Sequence, residues 1–260
     1  MENTGKKFEE LVKIMAKLRA PDGCPWDREQ GYRDIAAHTL EETYETLEAI
    51  DRGDFKALKE ELGDLLLQIL FYAQIATEEN RFGIDEVIEG ISAKLIHRHP
   101  HVFGDVRVSD SDEVLKNWEF LKKKEGKKTV LGGVPSALPS LLKAFRLGEK
   151  SSRVGFDWSD AEGILGKVEE ESRELREAKE SGDPDAIDHE YGDLLFTLAN
   201  LGRFLGLDPE GSLRRASDRF IARFNSMEEK ISQSSMDMKS LTPQQWDDLW
   251  KDAKSAAEKG

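Results

Sequence analysis

Two segments of this 260-residue chain carry the same acidic residues in the same register. Glu42, Glu45, Glu61 and Asp64 return as Glu171, Glu174, Glu190 and Asp193, each displaced by 129 residues (171 less 42). "GDLL" follows at the same place both times, in "EELGDLLLQILFYAQIA" and "HEYGDLLFTLANLG". One acidic pair could match by chance, but four positions plus Gly-Asp-Leu-Leu point to a duplicated structural unit. The repeat therefore constrains the fold to two homologous units.

The units read as helical. Apolar residues recur at helical spacing, and alternating strand patterns are almost absent. Phe8, Leu11, Val12, Met15 and Leu18 form one stripe, ending before "APDGCPWD", which reads as a loop. A helix holding Leu40, Tyr44, Leu47 and Ile50 stops near "DRGD", another runs over about 55–77, and a further one covers "IDEVIEGISAKLIHR". "HPHVFGDVRVSD" reads as a loop, and a further helix is expected from about 110 to 124. The second half predicts helices at about 138–151, 159–180, 184–206, 209–233 and 242–257. Their starts have local causes. Ser159 with Glu162, and Thr242 with Gln245, have capping-box spacing. Asp183-Pro184 and Thr242-Pro243 put a capping residue before a proline suited to the first helical position. The expected architecture is all-α, with two tandem helical units at 1–121 and 138–260 and a Lys-, Gly- and Pro-containing linker at 122–137.

Spacing of three sets Glu42 with Glu45, and Glu61 with Asp64, on common helix faces. The short connection "DRGDFKA" makes the two helices antiparallel neighbours. Gly63 is expected to allow close backbone approach there. Four carboxylates then converge, an arrangement that repels itself unless a cation sits among them. Mg²⁺ is such a cation, since it prefers hard oxygen ligands. Carboxylate-held Mg²⁺ suits phosphate substrates, whose oxygens it neutralises. Behind each acidic pattern stands a basic pair four apart, Lys94 with Arg98 and Arg219 with Arg223, consistent with polyphosphate binding.

With 35% charged residues and a formal net charge of −14, the chain is expected to be soluble, with no affinity for nucleic acid or anionic membranes. No apolar run reaches the roughly 20 residues needed to span a bilayer. The beginning of the chain lacks an apolar signal-peptide core, and the single cysteine, Cys24, excludes an internal disulfide framework. A cytoplasmic location is the simplest expectation.

"CPWDREQ", "LEETYETLEAI", "EELGDLLLQILFYAQIA" and "KLIHRHPHVFGD" together resemble the first unit of the MazG family of nucleoside triphosphate pyrophosphohydrolases. "RVGFDW", "KVEEESRELREA", "EYGDLLFTLANLGRFLG" and "RFIARF" resemble its second unit. The resemblance implies an all-α homodimer with a helical core similar to that of dimeric dUTPases. It implies Mg²⁺-dependent hydrolysis of NTPs and dNTPs between the α- and β-phosphates, giving a monophosphate and pyrophosphate. It makes Glu171, Glu174, Glu190 and Asp193 the metal ligands and catalytic carboxylates of the second unit, with Glu42, Glu45, Glu61 and Asp64 their counterparts in the first. Arg219 and Arg223 match phosphate-contacting residues, and Trp250 matches an aromatic lying against the nucleobase. The chain departs from the family pattern at His189, where an acidic residue is usual. It departs also at Ala186 and Arg219, where lysine is usual, and at Ser217 in place of asparagine. The alternative expectation is a non-catalytic acidic helical interaction protein with degenerate nucleotide sites.

Overall fold

A computed structural model describes residues 2–110, 113–114, 117–118, 129–234 and 237–257. The chain divides into two compact units, Met1–Trp118 and Glu119–Gly260. Among the described residues there is no β-strand. The first unit contains the helices α1 (Glu2–Arg19), α2 (Pro25–Glu29), α3 (Tyr32–Arg52), α4 (Phe55–Glu78), α5 (Ile84–Arg98) and α6 (Pro100–Phe103), and residues 113–114 and 117–118 are also helical. The second contains α7 (Ser140–Ser152), α8 (Ala161–Ser181), α9 (Pro184–Phe204), α10 (Pro209–Gln233) and α11 (Pro243–Ala257), with a 3-10 turn at Met238–Ser240.

The repeat extends to the ends of the helices. α3 and α8 each run 21 residues, and each ends on a left-handed glycine, Gly53 at φ 65° and Gly182 at φ 73°. A side chain there would be strained, so glycine closes both helices. The next residue, Asp54 or Asp183, caps the following helix. Asp54 accepts from the amides of Lys56 and Ala57, and Asp183 from those of Asp185 and Ala186. A Gly-Asp link of two residues folds α3 onto α4, and α8 onto α9, as helical hairpins.

In the first unit Met15, Ile35, Leu70, Phe71 and Ile75 form the core, joined by Phe8, Leu11, Val12, Leu67, Tyr72 and Ile84. The α1 stripe thus packs on the hairpin. Arg19 fixes the end of α1: its guanidinium binds the Glu78 carboxylate at 2.8 Å and donates to the carbonyls of Asp27 and Gln30. That contact, with help from Gln74, holds the Glu78 carboxyl below its ordinary value despite partial burial. Ile164, the counterpart of Ile35, is likewise sealed in the second unit. There α7 and α9 pack so closely that a Cβ on Gly148 would fall 1.7 Å from Asn200 Oδ1.

Several local expectations change. The segment around "APDGCPWD" is not all loop, because α2 begins at Pro25, a residue preset for the first helical position. Pro100 starts the four-residue α6 in the same way. Asp160, not Ser159, caps α8; its carboxylate accepts from Gly163 N at 2.8 Å. The box at Thr242 and Gln245 forms, with Thr242 N donating to Gln245 Oε1 at 2.8 Å and Gln245 N to Thr242 Oγ1 at 3.3 Å. A Cβ on Gly63, or on its counterpart Gly192, would meet nothing within 4 Å, so neither glycine serves close packing inside its own unit. Most of the helix expected over 110–124, and residues 122–128 of the expected linker, lie outside the described residues.

Candidate active site

Each hairpin brings together three of the four acidic residues that repeat between the units. Glu42 and Glu45 from α3 and Glu61 from α4 offer carboxylate oxygens within 4.8 Å of one another; Glu171, Glu174 and Glu190 do the same across α8 and α9. Asp64 and Asp193 follow one turn further along the second helix of each pair. Asp64 is exposed. Asp193 is half-exposed, with His189 Nε2 3.4 Å from its carboxylate. His97, His99 and His101 join no such group among the described residues; the His99 ring instead meets Leu95 O at 2.7 Å, near the end of α5.

The two triads differ electrostatically. In the first, Glu42 and Glu61 are pushed above the ordinary glutamate value of 4.5. Loss of hydration is the largest cause for both. Asp64, Glu45, Glu61 and Glu41 add repulsion at Glu42, while Glu45, Asp64 and Glu60 add it at Glu61. The folded chain therefore holds more protons than the unfolded chain between 4.5 and the raised values, and this contribution to stability falls as pH rises through that window. Above the window the carboxylates repel in full; below it both are neutral. Replacing Glu42 and Glu61 together by Gln is thus expected to raise the melting temperature near pH 7 in the presence of a chelator. The gain should vanish below about pH 4. Thermal denaturation across that range checks both halves.

In the second triad Glu171 is buried, at 4% exposure. Lys167 Nζ lies 2.7 Å from its Oε1, while its Oε2 is buried with no hydrogen-bond partner. A buried carboxylate oxygen without a donor is costly. An all-carboxylate donor set around such an oxygen suits a hard divalent cation. Glu171, Glu174 and Glu190 together fit a divalent cation of this kind.

On α10, Arg219 is exposed and Arg223 is half-buried. The Arg223 guanidinium lies 5.7 Å from the centre of the Trp250 ring, so these two expected nucleotide contacts meet. Trp246 stacks on Phe224 at 6.3 Å. Sequence reasoning missed Phe220, whose ring is 5.3 Å from that of Trp250. Its signal was an aromatic residue between Arg219 and Arg223. Lys167 was also missed, though its spacing of four from Glu171 marks a helical ion pair.

Known proteins resemble the sequence of both units. The MazG nucleotide pyrophosphohydrolase domain matches residues 30–103, and the phosphoribosyl-ATP pyrophosphohydrolase family matches residues 148–220. A nucleoside triphosphate pyrophosphohydrolase/pyrophosphatase MazG of Thermotoga maritima is 46% identical over 261 residues, covering 99% of this chain and 100% of that protein. A nucleoside triphosphate pyrophosphohydrolase of Escherichia coli is 41% identical over 255 residues, covering 95% of this chain and 97% of that one. A solved mazG-related protein from Thermotoga maritima is 29% identical and covers 44% of this chain and 98% of its own, with a TM-score of 0.39. Similarity along nearly the full length, with two hairpins that each gather three glutamates, fixes the assignment: the chain belongs to the MazG family of nucleotide pyrophosphohydrolases, hydrolases of nucleotide anhydride bonds.

Proposed function

We propose that the chain hydrolyses NTPs and dNTPs by attack of water at the α-phosphorus, releasing a monophosphate and pyrophosphate, with Mg²⁺ as cofactor. The observation that carries the reading is the Glu171–Glu174–Glu190 triad around a buried, unpartnered carboxylate oxygen. Mg²⁺ bound there would neutralise phosphate oxygens and lower the pKa of water. The chain's own residues supply the rest. The triad and Asp193 would hold the metal. Arg219 and Arg223 meet the polyphosphate charge, and the planar fork of Arg223 is steadied by the Trp250 ring. Trp250 and Phe220 offer an aromatic wall to the base; stacking tolerates every base, which suits a broad substrate range.

The second unit is assigned most of the turnover, because it combines the buried triad with Arg223 and Trp250. Glu42, Glu45, Glu61 and Asp64 form the corresponding metal set of the first unit. The working form is a homodimer. Leu62 and Ile69 on α4, and Tyr191, Leu195 and Leu198 on α9, leave large apolar side chains exposed. Gly63 and Gly192 beside them have open space. A second copy would bury these faces. No helix among the described residues is long and apolar enough to cross a membrane. The acidic net charge supports a reading in which neither an anionic membrane nor nucleic acid is a partner, and a cytoplasmic location belongs to the same proposal.

The test is incubation with a panel of NTPs and dNTPs, with Mg²⁺ or a chelator, resolving pyrophosphate from orthophosphate. Metal-dependent pyrophosphate release is expected. No turnover of any nucleotide would favour a non-catalytic interaction protein.

A further inference from the structure

Lys167 Nζ lies 2.7 Å from Glu170 Oε1 and 2.7 Å from Glu171 Oε1. The contacts span three and four residues of α8, so one extended lysine serves both carboxylates. Its side chain is a third exposed, whereas that of Glu171 is almost fully enclosed. The ammonium thus sits at the rim of the triad and reaches its most buried member. Lys167 also holds the Glu170 carboxyl below its ordinary value.

The first triad is built differently. Residue 38, which is 129 places before Lys167, is a histidine. Its Nδ1 approaches Glu41 at 3.6 Å. Across α4, Glu60 occupies the place of His189 and adds repulsion at Glu61. Among the described residues, the first site therefore gathers carboxylates that repel one another, while the second contains its own cation and replaces a neighbouring carboxylate with a histidine.

We infer that Lys167 is a resident counter-cation of the second triad, a positioning residue that sets its metal affinity well below that of the first. The inference rests on the metal-dependent reading above. A divalent ion that takes Glu171 draws on a carboxylate already shared with an ammonium, so the two cations compete for its charge. A polyphosphate changes this balance by offering Lys167 another anionic partner at the rim. Metal then enters the second site most favourably together with the nucleotide, while the first triad fills with metal alone. By linkage, nucleotide and metal must favour each other at the second site to the same extent.

Mn²⁺ binding to the full chain, followed by electron paramagnetic resonance without nucleotide, tests this. Two steps are expected, the weaker at about tenfold higher Mn²⁺, the weight of one charge-assisted contact. Glu42→Gln with Glu45→Gln should remove the tight step; Glu171→Gln with Glu174→Gln should remove the weak one. Lys167→Gln should shift the weak step to about tenfold lower Mn²⁺. Lys167→Arg, which keeps the charge, should leave it in place. A weak step that is removed by the Glu171/Glu174 pair yet unmoved by Lys167→Gln overturns the inference and spares the metal reading. If the Glu171/Glu174 pair removes no Mn²⁺ step from either the wild-type or the Lys167→Gln chain, the metal reading of the second unit fails and the inference falls with it.

Discussion

Replacing Glu171 by Gln is expected to lower the turnover of NTPs by about a hundredfold or more while leaving the fold intact. Gln keeps the size of the side chain and removes its charge. Losing one contact to a catalytic cation commonly costs several kcal/mol of transition-state stabilisation, and each 1.36 kcal/mol is a factor of about ten in rate. The stability effect is much smaller. The buried Oε2 has no partner to lose, and the ion pair to Lys167 is partly exposed on the lysine side. Gln Oε1 still accepts from Lys167, and water reaches the lysine, so the contact is weakened rather than lost. Steady-state turnover and thermal denaturation on the same preparation separate the two. A large loss of melting temperature would make Glu171 a structural residue, and unchanged turnover would remove it from the catalytic set.

The second large effect distinguishes the units. Asp193→Asn is expected to reduce turnover by at least about a hundredfold, and Asp64→Asn to leave most of it. The two aspartates occupy equivalent positions, one turn beyond Glu190 and Glu61, so the comparison removes most differences of local packing. Asp193 is also the more enclosed of the pair. The test is to assay both single variants and the double variant on one nucleotide panel. Activity lost in Asp64→Asn and kept in Asp193→Asn would make the first unit the enzyme. Partial loss in each, with different nucleotides affected, would make both units active.

What could be read from the sequence was what helices write locally. The matched register of glutamates survives as two hairpins because Gly53-Asp54 and Gly182-Asp183 both end one helix and cap the next. These are chemical signals within a few residues, and the starts of α4 and α9 fall where they indicate. Where two adjacent residues could both cap, as at Ser159 and Asp160, the pattern could not choose; the carboxylate, not the hydroxyl, took the Gly163 amide. α2 was hidden because Pro25 stands among residues typical of loops, although proline is well placed at a helix start.

The site was legible in part for the same reason. Spacing of three puts Glu190 and Asp193 on one face, but which carboxylates meet those of α8 depends on how the helices cross. That is a property of packing, and it favours Glu190. Lys167 escaped notice because the repeat was found by identity, and this position differs between units, with His38 as its counterpart. Phe220 meets Trp250 only when α10 packs on α11, a contact between residues 30 apart (250 less 220) that no local period encodes.

The most direct test of the account is hydrolysis of an NTP in ¹⁸O-labelled water with Mg²⁺, followed by mass analysis of both products. Attack at the α-phosphorus predicts one labelled oxygen in the nucleoside monophosphate and none in the pyrophosphate. Label in the pyrophosphate, or release of orthophosphate with a nucleoside diphosphate, would contradict it.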